Sequence, residues 1–164
     1  MGDAQRVYWD DSVFSVLVHD TSQRGDTCRR LLEDAEAGKI QIVTSFQTIA
    51  EVARSSGAHE NASSSLSPES GAPLIDFFEN DYFLYVAVDR VVAERAQALC
   101  RIHALDPHHA LHLASALRAG ARQFHTYLGA DLDALSGKIG DPPIAIGPPA
   151  WTGQLSLLES LFGA

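Results

Sequence analysis

Residues 6–14 read Arg-Val-Tyr-Trp-Asp-Asp-Ser-Val-Phe, an apolar run that ends in two aspartates before apolar residues resume at helical spacing. This pattern predicts a buried β-strand followed at once by a helix that Asp11 or Ser12 caps. Ligands of open parallel α/β sheets bind just beyond the carboxyl ends of the strands. Asp10 is therefore the first candidate for a chemical role. The alternative interpretation is that Asp10 and Asp11 form only a turn and a helix cap.

The overall composition is that of one globular domain. The chain has 164 residues, of which 46% are hydrophobic, and this is enough for a substantial core. Cys28 and Cys100 are isolated in the sequence and predict buried thiols rather than a disulfide or a zinc site. The N-terminus has no apolar signal region, and no apolar run reaches the roughly 20 residues of a membrane span. We expect a cytoplasmic protein that does not contact a membrane.

The formal net charge of −9 argues against nucleic-acid binding by the surface as a whole. Nonspecific affinity for nucleic acids comes mainly from Lys and Arg side chains that neutralise phosphates. A nucleic-acid role therefore needs a local basic patch, a bound cation or a basic partner chain. The same acidity is also compatible with an interaction module that binds a basic protein, or with no role beyond solubility.

Strand and helix signals alternate along the chain. After the first strand, four more are predicted, at 40–44, 82–88, 122–127 and 143–147. The helices predicted between them are at 13–18, 27–39, from residue 45 onward, 89–104 and 107–119, with a polar loop at 20–26. This alternation predicts a three-layer α/β/α sandwich around a mostly parallel sheet of about five strands.

We expect one domain over residues 1–150 and a C-terminal helix packed on it over 151–164. Residues 55–73 are rich in small and polar residues, which predicts a flexible internal loop without a chemical role.

Two further stretches place chemically capable side chains on helices. Glu51 lies among apolar helical residues, where a partly buried carboxylate needs a partner or a metal ion. A position at the rim of the helix is the alternative. His108, His109 and His112 have the i,i+3 and i,i+4 spacing of zinc or nickel sites. His125, on the predicted fourth strand, is expected in the core or at an edge.

In their order along the chain these signals resemble the PIN domain family, and within it the small toxin nucleases of the VapC type. Residues 7–14, residues 43–52 and residues 109–116 with the strand behind them carry the resemblance. The third stretch, with its Ala-Leu-His-Leu-Ala-Ser-Ala, is the most specific of the three. The resemblance implies a parallel sheet between helices and a ribonuclease whose acidic residues hold Mg²⁺ or Mn²⁺.

The resemblance also assigns roles to residues. It makes Asp10 and Glu51 the first two acidic positions, both catalytic and both metal ligands, with Ser12 and Asp11 supporting the site. Hard divalent cations prefer such oxygen ligands, activate water and stabilise the charge that develops on phosphate. His112 matches a family position that is packed behind the site, so the resemblance favours a structural role for it.

The family's third and fourth acidic positions are not acidic in this chain. His109 stands at the third, where it becomes the expected third metal ligand, and Leu128 stands at the fourth. Asp106, Asp131 and Asp133 are the carboxylates that could substitute. An imidazole ligand disfavours Mg²⁺ and favours Mn²⁺, Zn²⁺ or Ni²⁺.

Two hypotheses of function follow. The first is a PIN-like, metal-dependent endoribonuclease with a weakened or altered active site, a toxin with an RNA substrate and an antitoxin protein partner. The second is a catalytically inactive PIN-fold protein that binds RNA or a protein. His109 and Leu128 are the residues that separate the two, and they favour the second. The resemblance also implies a homodimer.

Overall fold

The computed structural model describes residues 4–57 and 76–150, and within 53–57 only the backbone. Its centre is a five-stranded sheet formed by β1 (Gln5–Trp9), β2 (Ile40–Ser45), β3 (Phe83–Val86), β4 (Gln123–His125) and β5 (Ala145–Gly147). The strand order is β3-β2-β1-β4-β5, and every neighbouring pair is parallel. The strand that begins the chain therefore lies in the middle of the sheet.

Helices connect the strands: α1 (Asp11–His19), α2 (Gln23–Glu36), α3 (Phe46–Gly57), α4 (Arg90–His103), α5 (Pro107–Arg118) and the short α6 (Ala130–Asp133). The predicted polar loop at 20–26 is wrong in its second half, since α2 begins four residues earlier than predicted. The reason is the hydroxyl of Ser22, which accepts a hydrogen bond from the backbone N–H of Arg24 and caps the helix.

Alternate residues of the strands form two separate cores, one on each face of the sheet. Tyr8, Val43 and Phe124 lie in the core that α4 and α5 cover. The neighbouring residues Val7 and Trp9 lie in the core that α1 and α2 cover. Successive side chains of a strand point to opposite faces, so a sheet covered on both faces needs nearly continuous apolar strands. The predicted α/β/α sandwich is confirmed, and its sheet is parallel throughout.

Several predictions concern residues outside this core. Helix α3 extends to Gly57, so the first three residues of the predicted loop at 55–73 are helical. Residues 58–75 and the predicted C-terminal helix at 151–164 lie outside the described residues. Both cysteines are free; Cys28 is buried and Cys100 is partly buried. Among the described residues, no helix is both long enough and apolar enough to cross a membrane.

The expectation that His125 belongs to the core is confirmed, and its imidazole is neutral there. The indole Nε1–H of Trp9 can only donate, so His125 Nδ1 accepts its hydrogen bond at 3.1 Å. The proton is then on Nε2, which donates to Gln123 Oε1 at 3.2 Å. Burial lowers the pKa of His125 to about 4.

We expect His125 to make the protein less stable as the pH falls from about 6.5, its pKa in an unfolded chain, to about 4. In this window the unfolded chain binds a proton at His125 and the folded chain does not. This difference lowers the free energy of unfolding by up to about 3 kcal/mol. Urea unfolding at pH 7 and at pH 4.5 measures it, and the His125→Gln variant should lose less stability than the wild type. Equal losses would mean that other groups account for the pH dependence.

Candidate functional site

The candidate site lies beyond the carboxyl end of β1, where the strand order reverses direction. The chain passes from β1 to β2 and β3 on one side of the sheet and then crosses to β4 and β5 on the other. Open α/β sheets bind their ligands at such a switch point. Helices α1 and α3 begin directly after β1 and β2, and α5 precedes β4. The first turns of these helices therefore border the crevice.

Four side chains from three helices meet there, and we call them the four-residue cluster: Asp11, Glu51, His108 and His112. One potential ligand atom from each lies within 4.8 Å of the other three. Glu51 is the centre of the group, with Oε2 3.0 Å from His112 Nε2 and Oε1 3.0 Å from His108 Nδ1. Asp11 Oδ1 lies 3.5 Å from His108 Nε2 and 3.9 Å from His112 Nε2.

His112 is fixed by a hydrogen bond from the opposite side of its ring. Its Nδ1 lies 2.8 Å from the hydroxyl of Tyr8, and both residues are fully buried. Burial raises the pKa of Tyr8, so the phenol keeps its proton at neutral pH. Because Nδ1 is occupied by Tyr8, His112 presents Nε2 to Glu51.

Glu51 is the partly buried carboxylate whose need for a partner the sequence indicated. Burial alone would raise its pKa, but hydrogen bonds from His112 and Gln47, with the nearby His108, bring the pKa below its usual value. Gln47 Nε2 donates to Glu51 Oε1 from one turn earlier in α3. Glu51 is therefore a carboxylate anion at neutral pH.

Asp10, and not Asp11 or Ser12, is the N-cap of α1, which corrects the predicted cap. Its Oδ1 accepts hydrogen bonds from the backbone N–H groups of Ser12 at 3.0 Å and Val13 at 3.3 Å. Burial raises the pKa of Asp10, and hydrogen bonds from Ser12 and Thr126 oppose this shift. One of the two carboxylate oxygens of Asp10 thus has a structural role in the cap of α1.

Ser12 joins the start of α1 to the end of β4. Its hydroxyl donates to Asp10 Oδ1 and accepts a hydrogen bond at 2.9 Å from the backbone N–H of Tyr127. This is the geometry of a residue that supports Asp10.

His109 lies outside the four-residue cluster and pairs with one of the candidate substitutes. Its Nδ1 is 2.9 Å from Asp131 Oδ1 and 3.0 Å from Oδ2. Burial would raise the pKa of Asp131, but the hydrogen bond and charge of His109 lower it. Asp106 is the N-cap of α5 and accepts from the backbone N–H of His108 at 2.9 Å. Asp133 is exposed on α6.

The residues at the four family positions do not fit a magnesium site made of oxygen ligands. Asp10 caps a helix, and His109 offers an imidazole that is engaged with Asp131. Leu128 has no donor atom in its side chain, which is 61% exposed. Of the four, only Glu51 is a carboxylate that points into the cluster.

The structure brings together Glu51, one of the candidate ligands, with His108, which the sequence gave only as one of three histidines with zinc or nickel spacing, and Asp11, to which it gave a supporting part. The signal for His108 was its i,i+4 spacing from His112, which puts both side chains on one face of α5. The signal for Asp11 was weaker, because a sequence does not show which of two adjacent carboxylates points inward.

The model of the PIN domain family matches residues 7–136 of the chain. The chain belongs to the PIN domain family. This confirms the resemblance drawn from its three stretches of sequence. No curated protein matches this PIN domain chain by sequence.

Solved structures show the same PIN fold. VapC20 of Mycobacterium tuberculosis, described as a Sarcin-Ricin loop cleaving toxin, is 14% identical, with 78% of this chain and 94% of that chain covered and a TM-score of 0.60. VapBC2 of Rickettsia felis, bound to a promoter DNA fragment, is 12% identical, with 87% of this chain and 97% of that chain covered and a TM-score of 0.61. A toxin–antitoxin complex from Klebsiella pneumoniae is 18% identical, with 88% of this chain and 98% of that chain covered and a TM-score of 0.59. At such low sequence identity, this structural similarity establishes a common fold and nothing further.

The Ser12→Ala variant should have a free energy of unfolding lower by about 1–3 kcal/mol, since Tyr127 N–H loses its acceptor and Asp10 loses a donor. Urea unfolding measures the loss. Thr27→Ala is the control, because it removes an exposed hydroxyl within α2 and should change stability by no more than about 0.5 kcal/mol. A loss for Ser12→Ala no larger than that of the control would contradict the role of this junction.

Proposed function

We propose that this chain is a PIN-type endoribonuclease, the toxin of a toxin–antitoxin pair, with its active centre at the four-residue cluster. The observation that carries the proposal is the position of Glu51. It stands at the family's second acidic position, and in the structure it contacts His108 and His112 beyond the carboxyl end of β1. A carboxylate held as an anion at the switch point of an α/β sheet is suited to bind a cation.

Hydrolysis of an RNA phosphodiester needs an activated water and a positive charge near the phosphate, and a bound divalent ion supplies both. Glu51 and Asp11 are the carboxylates that would hold such an ion, and His108 and His112 are the imidazoles beside them. Asp10 acts as a positioning residue, because its cap fixes the first turn of α1 and with it Asp11. The net charge of −9 would otherwise repel the RNA backbone.

The structural relatives support two further parts of the proposal, the role of a toxin and the antitoxin partner. VapC20 is described as a cleaving toxin, and the Klebsiella pneumoniae structure is a toxin–antitoxin complex. We propose the corresponding roles for this chain, with RNA as the substrate that the VapC-type resemblance implies and an antitoxin as the partner. A homodimer and a cytoplasmic location remain predictions.

A second candidate function is an inactive PIN-fold protein that binds RNA or a protein without cleavage. The structural observations that favour it are the helix-capping role of Asp10, the pairing of His109 with Asp131, and the exposed Leu128. Together these leave two of the four family positions without an oxygen ligand and give the carboxylate at a third a role in capping α1. The two candidates differ in whether the purified protein cuts RNA.

Glu51→Gln should lower the rate of RNA cleavage at least about 100-fold, because a metal ion contributes several kcal/mol to the stabilisation of the transition state. Cleavage of a structured RNA, measured with Mn²⁺ and with Zn²⁺, tests this. Glu94→Gln is the matched control, since Glu94 is exposed on α4 and pairs with Arg90 away from the crevice. Equal activity of Glu51→Gln and wild type would contradict the proposal. A wild type that binds the RNA but does not cut it would favour the second candidate.

The double variant His109→Asp with Leu128→Asp places carboxylates at the third and fourth family positions. We expect its affinity for Mg²⁺ to rise about tenfold or more, because the number of charged oxygen ligands governs the binding of hard cations. Calorimetric titration of Mg²⁺ and Mn²⁺ measures this change. Unchanged affinity would contradict the prediction and show that carboxylates at residues 109 and 128 do not share an ion with Glu51.

A further inference from the structure

We propose that the four-residue cluster is a transition-metal site with two nitrogen and two oxygen donors, which prefers Zn²⁺ and similar ions to Mg²⁺. The donor atoms belong to Asp11, Glu51, His108 and His112. The inference rests on the proposed function only in placing the ion at the proposed active centre. Binding of the ion is measurable without any nuclease assay.

The donor set determines the choice of metal. Imidazole nitrogen suits zinc, nickel, copper and iron, whereas Mg²⁺ takes oxygen ligands and retains several waters. Here half of the donors are imidazoles, and both lie on one face of α5 in adjacent turns. In the part of the chain whose side chains are described, the carboxylates of Asp11 and Glu51 lie within 4.0 Å of nitrogens of these histidines and of no Lys or Arg. A cation between them would supply the charge that the two carboxylates lack.

His112 already has the orientation of a metal-binding histidine. In such sites the ring nitrogen that does not bind the metal donates its proton to an oxygen, which fixes the ring. The hydroxyl of Tyr8 stands 2.8 Å from Nδ1, and a phenol oxygen can accept that proton. In the structure Nε2 donates to Glu51 Oε2 at 3.0 Å and lies 3.9 Å from Asp11 Oδ1. An ion would take the place of that Nε2 proton, and the ring proton would then be on Nδ1, facing the phenol oxygen. The His112 side chain is only 1% exposed, so little freedom remains to be lost on binding.

His108 completes the set from one turn earlier in α5. The rings of His108 and His112 are 4.8 Å apart, and helical i,i+4 spacing holds both on the same face. His108 lies between the two carboxylates, with Nδ1 near Glu51 and Nε2 near Asp11. Its side chain is 38% exposed, which leaves a route by which an ion or a substrate reaches the cluster.

The spacing of the donors fits one ion. Tetrahedral zinc with bonds of about 2.0–2.2 Å places its ligand atoms roughly 3.4 Å apart. One donor atom from each of the four residues lies within 4.8 Å of the other three. His112 Nε2 is 3.0 Å from Glu51 Oε2 and 3.9 Å from Asp11 Oδ1, and Asp11 Oδ1 is 3.5 Å from His108 Nε2. Small changes of side-chain torsion would bring all four atoms to such an ion.

This site is displaced by one residue from the family positions on two helices. Asp11 takes the part expected of Asp10, and His108 takes the part expected of His109. The displaced residues are engaged elsewhere, Asp10 in the cap of α1 and His109 with Asp131. The displacement explains how a chain without the third and fourth family carboxylates can still hold an ion.

The test is calorimetric titration of Zn²⁺ and Mg²⁺ into the untagged, full-length protein, with Co²⁺ absorption spectra as an independent readout. We expect one Zn²⁺ per chain, with a Kd at least about 100-fold lower than that for Mg²⁺. Co²⁺ should give the visible bands of four-coordinate cobalt, and Zn²⁺ should remove them.

Two adjacent variants provide the matched comparison. His108→Gln should weaken Zn²⁺ binding at least about tenfold, whereas His109→Gln, one residue away on the same helix, should leave it unchanged. The opposite result would overturn the proposal and place the metal at the family position. A wild type that binds no Zn²⁺ would also overturn it. Intact Zn²⁺ binding without RNA cleavage would contradict the proposed function and leave this inference standing.

Discussion

The hydrogen bond between the Tyr8 hydroxyl and His112 Nδ1 links the central strand to the helix that carries both imidazoles of the site. It is 2.8 Å long, fully buried, and joins residues 104 positions apart in the chain. Because α5 packs on the sheet with Tyr8 beneath it, this bond fixes the rotation of the helix over β1. The direction of His112 Nε2, and through it the position of Glu51, depends on this contact.

The central strand supplies three adjacent residues that act in three different places. Tyr8 enters the core under α4 and α5 and reaches His112, while Trp9 enters the opposite core and donates to His125. Asp10, at the strand end, caps α1. Because successive side chains of a strand point to opposite faces, this division is obligatory. A shift of β1 by one residue in its pairing register would exchange the residues of the two cores and move Asp10 away from the cap of α1.

The fold was predictable because each strand is buried on both faces and therefore appears as an apolar run, and because helices separate these runs. The end of the sheet at which the candidate site lies was also indicated by sequence, since Asp10 and Asp11 directly follow β1. Which side chains meet there was not predictable, because one residue along a helix rotates the side chain by about 100° and sequence does not set the phase of the first turn. For this reason the choices between Asp10 and Asp11, and between His108 and His109, required the structure. The pairing of His109 with Asp131 depends on the turn after β4, which sequence spacing did not indicate.

The measurement that tests this account most directly is a crystal structure of the protein grown with Zn²⁺, with anomalous scattering data collected at the zinc absorption edge. The account predicts one strong anomalous peak, about 2.0–2.2 Å from donor atoms of Asp11, Glu51, His108 and His112. A peak bound by Asp10 and His109 instead, with His108 turned away to solvent, would contradict it.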